Sequence, residues 1–347
     1  MTPGPMLVAV NFHYVRPSFE ARFEAIHGLT PEQFGRQVET LSRIGTFVSA
    51  DDIRDAVAGI RTLPDRSIAL TLDDGLREQY DHAWPVLRRL GVPAIFFINT
   101  DPILNRRLST VHKIHLLRSE VAPEHFLAML HRHGDALGIR LARGIDAERA
   151  RVQYEYDTPE VARLKFLLNL TLTAAERDRL IDRCFEEHSD GEEARISQTL
   201  YMDAGQVGCL GHERAIGLHG HRHLPLGLLS PEAAEEQITL CSAHLEVLTG
   251  YRPFALSYPF GERQACSSQA AAVAARQGIE FAFTMERAGN HDLGQPLHLA
   301  RFDSNDVPGG KRPYWSSELF FASAPAATWC RDVPAPVVAD SVAGQPS

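Results

Sequence analysis

The run Ser67-Ile-Ala-Leu-Thr-Leu-Asp-Asp-Gly75 is followed by the amphipathic stretch Arg77 to Leu90, by Gly91, and by Ala94-Ile-Phe-Phe-Ile-Asn99. Ser67 to Leu72 and Ala94 to Asn99 are short and almost wholly apolar, the pattern of strands covered on both faces. The stretch between them is long enough for a helix. It closes at a glycine suited to the left-handed residue that often ends one. Strand, helix, strand in this rhythm is the unit of a parallel sheet or barrel.

Working outward, the same alternation recurs on both sides. Leu7 to Phe12 reads as a strand, and Thr30-Pro31-Glu32-Gln33 offers an N-cap, a proline at the first helical position and a capping-box glutamine. Phe34, Val38 and Leu41 then fall on one helical face. Beyond residue 214 come a strand at Ala215 to Leu218, a helix from Pro231 to Leu248 and a strand at Phe254 to Ser257. A helix at Ser268 to Arg276 and strands near Phe281 to Thr284 and Leu297 to Ala300 follow. Asp101 to His212 carries helical patterns only, including a start at Thr158-Pro-Glu160 and a capping box of Thr173 with Glu176. The predicted fold class is α/β: a distorted (β/α) barrel of about seven strands over residues 1–322, interrupted by a helical insertion at 101–212. Pro, Ala and Val dominate after Ser323, which predicts a loose tail over 323–347.

Composition narrows the functional classes. Of 347 residues, 44% are hydrophobic and 23% charged, which excludes a disordered or coiled-coil chain. The net charge of −9, with no block of Lys or Arg, argues against nucleic acid as a partner. No apolar run approaches the ~18 residues of an integral membrane segment. The first ten residues lack the basic and apolar regions of a leader, so a cytoplasmic setting is expected. The five cysteines (184, 209, 241, 266 and 330) form no CxxC pair and read as reduced thiols. The oligomeric state is not legible.

Two constellations carry chemistry. Asp73 and Asp74 end a buried strand on the side where barrel active sites are built. Adjacent acids repel, so keeping both ionised calls for a cation or a split in their pKa values; Asp-Gly is also an ordinary turn and helix-cap signal. Gly217-Leu-His-Gly-His-Arg-His223 places three histidines directly after a strand, and neutral imidazole suits zinc and its neighbours. Spacing leaves open which of them bind. His219 and His223 converge across a helical turn, whereas all three share a face in an extended chain. Ala255-Leu-Ser-Tyr-Pro-Phe-Gly261, alone, is a strand ending in a Pro/Gly turn.

Taken in order, these segments resemble the polysaccharide deacetylase family (NodB homology domain). Thr71-Leu-Asp-Asp-Gly75 with Leu90-Gly-Val-Pro93 and Ala94-Ile-Phe-Phe-Ile98 is similar to the family's opening. Ile216 to His223 is similar to its HxxxH metal motif, and Ser257-Tyr-Pro-Phe-Gly261 to its arginine-to-PYG segment. Asn11-Phe-His-Tyr14 and Leu299-Ala-Arg-Phe-Asp303 resemble flanking motifs of one branch. The likeness covers about 7–99 and 215–306. It implies Asp73 as general base, with Asp74, His219 and His223 as ligands of a divalent metal ion, zinc in the first instance. His13 would be the acid that protonates the leaving amine, with His298 as the substitute. A backbone N–H near Tyr258 would help to hold the oxyanion. The chain departs from the family at Ser257, where many members carry an arginine against the base. Arg301 is the residue able to replace it, with Asp303 orienting His13. The implied function is removal of an N-acyl group, N-acetyl above all, from an amino sugar or glycan precursor. The alternatives are a non-catalytic carbohydrate-binding protein and a metal-dependent deformylase or imide hydrolase. In the insertion, Lys113, His115 and Arg118 are candidates to meet an anionic group of the substrate.

Overall fold

A computed structural model describes residues 5–22, 26, 28–141, 147–153 and 158–329. The strands are β1 (Met6–Phe12), β2 (Thr46–Phe47), β3 (Arg66–Leu72), β4 (Ile95–Ile98), β5 (Ile216–Leu218), β6 (Ala255–Ser257), β7 (Phe281–Phe283) and β8 (Arg301–Asp303). Seven of them lie in the order β7-β6-β5-β4-β3-β1-β8, every neighbouring pair parallel. The two-residue β2 pairs with the first half of β3. Between β7 and the residues entering β8 the ring is joined by one bridge, with Thr284 N donating to Leu299 O (2.8 Å) and Leu299 N to Ala282 O (2.9 Å). The result is a nearly closed (β/α) barrel of seven parallel strands.

Period two along each strand divides its side chains between two cores. Val8, Val10, Phe12, Leu70, Leu72, Phe96, Ile98, Leu218 and Leu256 pack outward against the helices. Leu7, Ala9, Ala69, Ile95, Phe97, Ala255, Phe281 and Phe283 fill the barrel interior. Carried two residues further toward the C-terminal rim, the inward rows arrive at Asn11, Thr71, Asp73, His219, Ser257 and Arg301. The rim chemistry is thus a continuation of the interior packing pattern.

The barrel helices are α1 (Pro31–Ser42), α2 (Ala50–Val57), α3 (Trp84–Leu90), and later α12 (Pro231–Thr249) and α13 (Ser268–Arg276). Thr30 and Gln33 form the expected reciprocal cap of α1, and Gly91 closes α3 in the left-handed region (φ 65°). The helix before Gly91 is not uniform: Gln79–Ala83 is a wide π-type turn, a feature that often marks functional sites.

One strand lies elsewhere than the sequence pattern places it. The ladder with β1 is made by Arg301–Asp303, not by Leu297 to Ala300; Pro296–His298 forms a 3₁₀ turn, and Asn290 ties down the N–H and C=O of Ala300. Hydrophobic periodicity misses β8 because its inward residue is a buried arginine.

Between β4 and β5 the chain forms α4 (Thr100–Asn105), α5 (Thr110–Glu120), α6 (Pro123–Leu137), α7 (Ala147–Gln153), α8 (Pro159–Phe166), α9 (Ala174–Ser189), α10 (Glu193–Leu200) and α11 (Ala204–His212). These helices have a core of their own, including Leu117, Phe126, Met129, Leu130, Leu164, Leu180, Ile181 and Phe185. Tyr14 and Leu76 from the barrel rim join that core, so the insertion sits on the C-terminal end of the barrel. Near the C-terminus, α14 (Phe320–Ser323) is followed by a segment held at Gly289 and Glu286. Gly289 N donates to Pro325 O, and the Glu286 carboxylate accepts the N–H groups of Thr328 and Trp329. The rest of the expected tail, with Cys330, lies outside the described residues. Among the described residues, no helix is long and apolar enough to cross a membrane.

Candidate active site

β3 ends in Asp73, and the chain turns sharply through Asp74 (φ 81°) and Gly75 (φ 65°). A left-handed aspartate costs energy, and such residues persist where the surroundings over-determine them. Here Gln79, swung inward by the π-type turn, donates its side-chain amide to the carbonyls of Asp73 (2.5 Å) and His13 (2.9 Å). On the other side Met202 N donates to Gly75 O (2.9 Å), and Tyr201 bridges to Leu76. The two carboxylates consequently face different partners.

Asp73 is gripped by Arg301. The guanidinium gives Nη1 to Oδ1 (2.9 Å) and Nη2 to Oδ2 (2.8 Å), a two-pronged pair with side chains 0% and 3% exposed. The remaining donors of Arg301 reach Thr284 O, Asn11 Oδ1, Thr71 Oγ1 and Ser257 Oγ. Its guanidinium carbon lies over the Phe97 and Phe283 rings, 5.9 and 5.7 Å from their centroids. Asp73 Oδ2 also accepts from Ser257 Oγ (3.0 Å) and Asn11 Nδ2 (3.2 Å). Arg301 therefore supplies, from β8, the cation missing at Ser257, and the small Ser257 side chain leaves room for it. Burial alone would raise the Asp73 pKa; the Arg301 guanidinium and His219 outweigh it and hold the carboxyl below the usual range.

Asp74 turns instead to the histidine loop. Its Oδ1 lies 3.5 Å from His219 Nε2 and 3.3 Å from His223 Nε2, and the three ligand atoms all fall within 4.8 Å of one another. His219 Nδ1 is 2.8 Å from Ser257 O, a bond that fixes the proton on Nδ1 and leaves the Nε2 lone pair facing Asp74. Burial pushes His223 down to about 3, so that imidazole is neutral. Burial would raise Asp74, but His112 beside it outweighs that and keeps the carboxyl well below the usual range. Asp74 Oδ1 is buried without a hydrogen-bond partner. Four-coordinate zinc with bonds of about 2.0–2.1 Å would space its ligand atoms about 3.3–3.4 Å apart, close to the 3.3 and 3.5 Å found here. The donor set and its spacing fit a divalent cation.

The third histidine of the loop is turned away. His221 Nδ1 pairs with Thr100 Oγ1 (2.8 Å), and its ring lies beside His244. Positive φ at Gly220 (72°) and His223 (55°) makes this loop neither helix nor strand, which is why spacing could not select the pair.

His13 follows β1 at the rim, half-buried, and its backbone carbonyl accepts from Gln79. Asp303 Oδ1 accepts the backbone and side-chain N–H groups of Asn305, both at 2.8 Å. His298 is buried with Nε2 3.1 Å from Cys266 O and its ring stacked near Tyr258. The backbone N–H of Tyr258 itself donates to Phe283 O (3.1 Å). Lys113 is neutralised by Asp182 (2.7 Å) and Glu193 (2.9 Å) and does not serve as a free cation.

A cleft of about 580 Å³ runs between the insertion and the barrel loops, without Asp73 or Asp74 in its lining. Val111, Ile114, His115 and Arg118 of α5 face Phe260 and Leu228 across it, with Leu168, Leu172 and Arg177 along one side. Phe260 also packs on His223, 4.8 Å between centroids, so cleft and histidine loop are contiguous. Sequence reading missed Asn11, Gln79, His112 and Tyr201. Local sequence carries little signal: on α5, His112 shares a face with Leu116, a position that reads as core.

Residues 60–129 match the family model described as Polysaccharide deacetylase. No curated protein matches the chain. In fold it is similar to the Streptococcus pyogenes deacetylase PplD in complex with acetate, with a TM-score of 0.55 and 12% identity over 92% of this chain and 99% of that one. IcaB from Ammonifex degensii gives 0.52 and 17% identity over 86% and 91%. The BpsB deacetylase domain from Bordetella bronchiseptica gives 0.51 and 16% over 87% and 97%. At these identities the fold is what is shared.

Proposed function

We propose that this chain is a hydrolase that removes an N-acyl group, N-acetyl first, from an amino sugar of a glycan or glycan precursor. The observation that carries the proposal is the pairing of an arginine-locked carboxylate, Asp73, with the Asp74–His219–His223 cluster on one barrel rim. The match of residues 60–129 to the deacetylase model and the shared fold support it. Asp74, His219 and His223 would hold the divalent cation, which when bound polarises an acyl carbonyl and makes water more acidic.

The chain's own residues account for the proton movements. Asp73, kept ionised and oriented by Arg301, accepts the proton of the attacking water. An amide nitrogen cannot leave as an anion, so it needs a proton as the C–N bond breaks. His13 is the donor in this reading; Asp303, on the neighbouring β8, accepts from Asn305. The N–H of Tyr258 itself is used by Phe283 O, so the oxyanion donor in this reading is a neighbouring backbone N–H. The cleft under the insertion, apolar walls with cations at its edge, is the proposed sugar site. The Ser257 departure, which permitted a non-catalytic reading, is met by Arg301, and this favours an enzyme.

The test is acid release from N-acetylglucosamine oligomers by metal-loaded protein, with Asp73→Asn and a chelator as controls. Release abolished by both controls supports the proposal. No release from any N-acyl amino sugar by the loaded wild-type chain refutes it.

A further inference from the structure

On the far side of Asp74 from the histidine loop stands a residue of the insertion. His112, 1% exposed on α5, has Nε2 3.3 Å from Asp74 Oδ2. Its Nδ1 is 2.5 Å from Tyr201 Oη and 2.9 Å from Ser109 Oγ. Tyr201 is 2% exposed, and burial holds its phenol protonated. With the phenol donating to Nδ1, the imidazole proton resides on Nε2, facing Asp74. Nε2 is buried without a well-aligned hydrogen bond and stands 3.3 Å from Asp74 Oδ2; a buried N–H left unpaired costs about 1–3 kcal/mol.

The two oxygens of Asp74 are thereby divided. Oδ1 faces His219 and His223, whereas Oδ2 faces His112. His112 does not join the set of ligand atoms lying within 4.8 Å of one another. We infer that His112 is a positioning residue: it donates Nε2–H to Asp74 Oδ2, fixes the carboxylate so that Oδ1 alone is offered to a cation, and makes the insertion part of the metal site. Tyr201 orients His112, and Tyr201 is itself stitched by backbone pairing to Leu76, two residues past Asp74. The insertion thus contacts the Asp-Asp-Gly turn twice, through a side-chain relay and through the main chain. This inference rests on the assignment of Asp74, His219 and His223 as a cation site.

The experiment titrates the metal-free full chain with Co²⁺ alone, following the visible d–d absorption and the competition with a chromophoric chelator. His112→Ala should bind about 10–100-fold more weakly than wild type, the usual loss when a partner behind a ligand is removed. His112→Gln, which keeps an N–H donor, should recover most of that loss. Tyr201→Phe should show a smaller loss in the same direction and remains informative if His112→Ala does not fold. Thermal melts of the metal-free proteins separate lost affinity from lost fold. Wild-type affinity in His112→Ala or, should that variant not fold, in Tyr201→Phe would overturn the inference. A change in Co²⁺ band intensity showing one nitrogen donor fewer in His112→Ala would also overturn it, because His112 would then be a ligand. Failure of the wild-type chain to bind Co²⁺ would overturn the underlying site assignment instead.

Discussion

Arg301→Met separates the two things that Arg301 does for Asp73. The substitution keeps an unbranched stem of similar length beneath the Phe97 and Phe283 rings but deletes the cation and both prongs of the pair. Asp73 retains only Ser257 Oγ and Asn11 Nδ2 as donors, in a site where its side chain is 3% exposed. Removing one partner of such a pair strands a buried charge, at about 3–5 kcal/mol. The loss depends on pH. In wild type the Asp73 pKa is depressed below 3.8, so its contribution to stability is present above the unfolded value and is lost as pH falls through the folded one. In the variant, burial is opposed mainly by His219 and two neutral donors, and it raises the folded pKa above the unfolded one. The stability gap between the two proteins should then be small near pH 3 and widen as pH rises toward 7. Urea unfolding at several pH values reads this directly, and the acid limb of the pH–rate profile should move upward. Arg301→Met with Asp73→Asn should recover part of the lost stability at pH 7, since no charge is stranded. A gap that is constant with pH, or a double variant no more stable than the single one, would refute the reasoning.

His13→Ala should lower kcat by about 10²–10⁴ with metal content retained, as expected for one acid–base group; near wild-type turnover moves that role elsewhere. Gly217→Ala should destabilise the barrel by about 1–3 kcal/mol, the range for overpacking. An added Cβ would lie 2.4 Å from the Phe97 ring and 3.1 Å from Ala255 O, and equilibrium unfolding tests it. Phe260→Ala opens the cleft beside His223, so KM for an N-acetyl sugar oligomer should rise more than kcat falls; equal effects on both would argue that the ring serves His223 and not the substrate.

The fold is legible in the sequence because its signals are local. Apolar strands bounded by caps, the Thr30–Gln33 box and the glycine at 91 each depend on residues close by in the chain. The same locality explains the failures. β8 escapes the apolar pattern because Arg301 is buried by a partner 228 positions away. β2 is two residues long and carries no periodicity of its own. In the site, Asp73, Asp74 and the three histidines announce themselves by residue type and by position after a strand. His112 and Tyr201 do not, since a histidine on an apolar helix reads as core until its neighbour is known.

By itself the sequence determined that parallel strands would deliver two carboxylates and an imidazole cluster to one rim, because strand direction and period two fix which ends and faces those residues occupy. Tertiary structure alone decided the division of labour among them. It sent Asp73 to Arg301 and Asp74 to the histidine loop, chose His219 and His223 over His221, and set His112 behind Asp74. Each of those choices depends on distances of a few ångströms between segments far apart in the chain, and on backbone turns at Asp74 and His223 that no local propensity specifies.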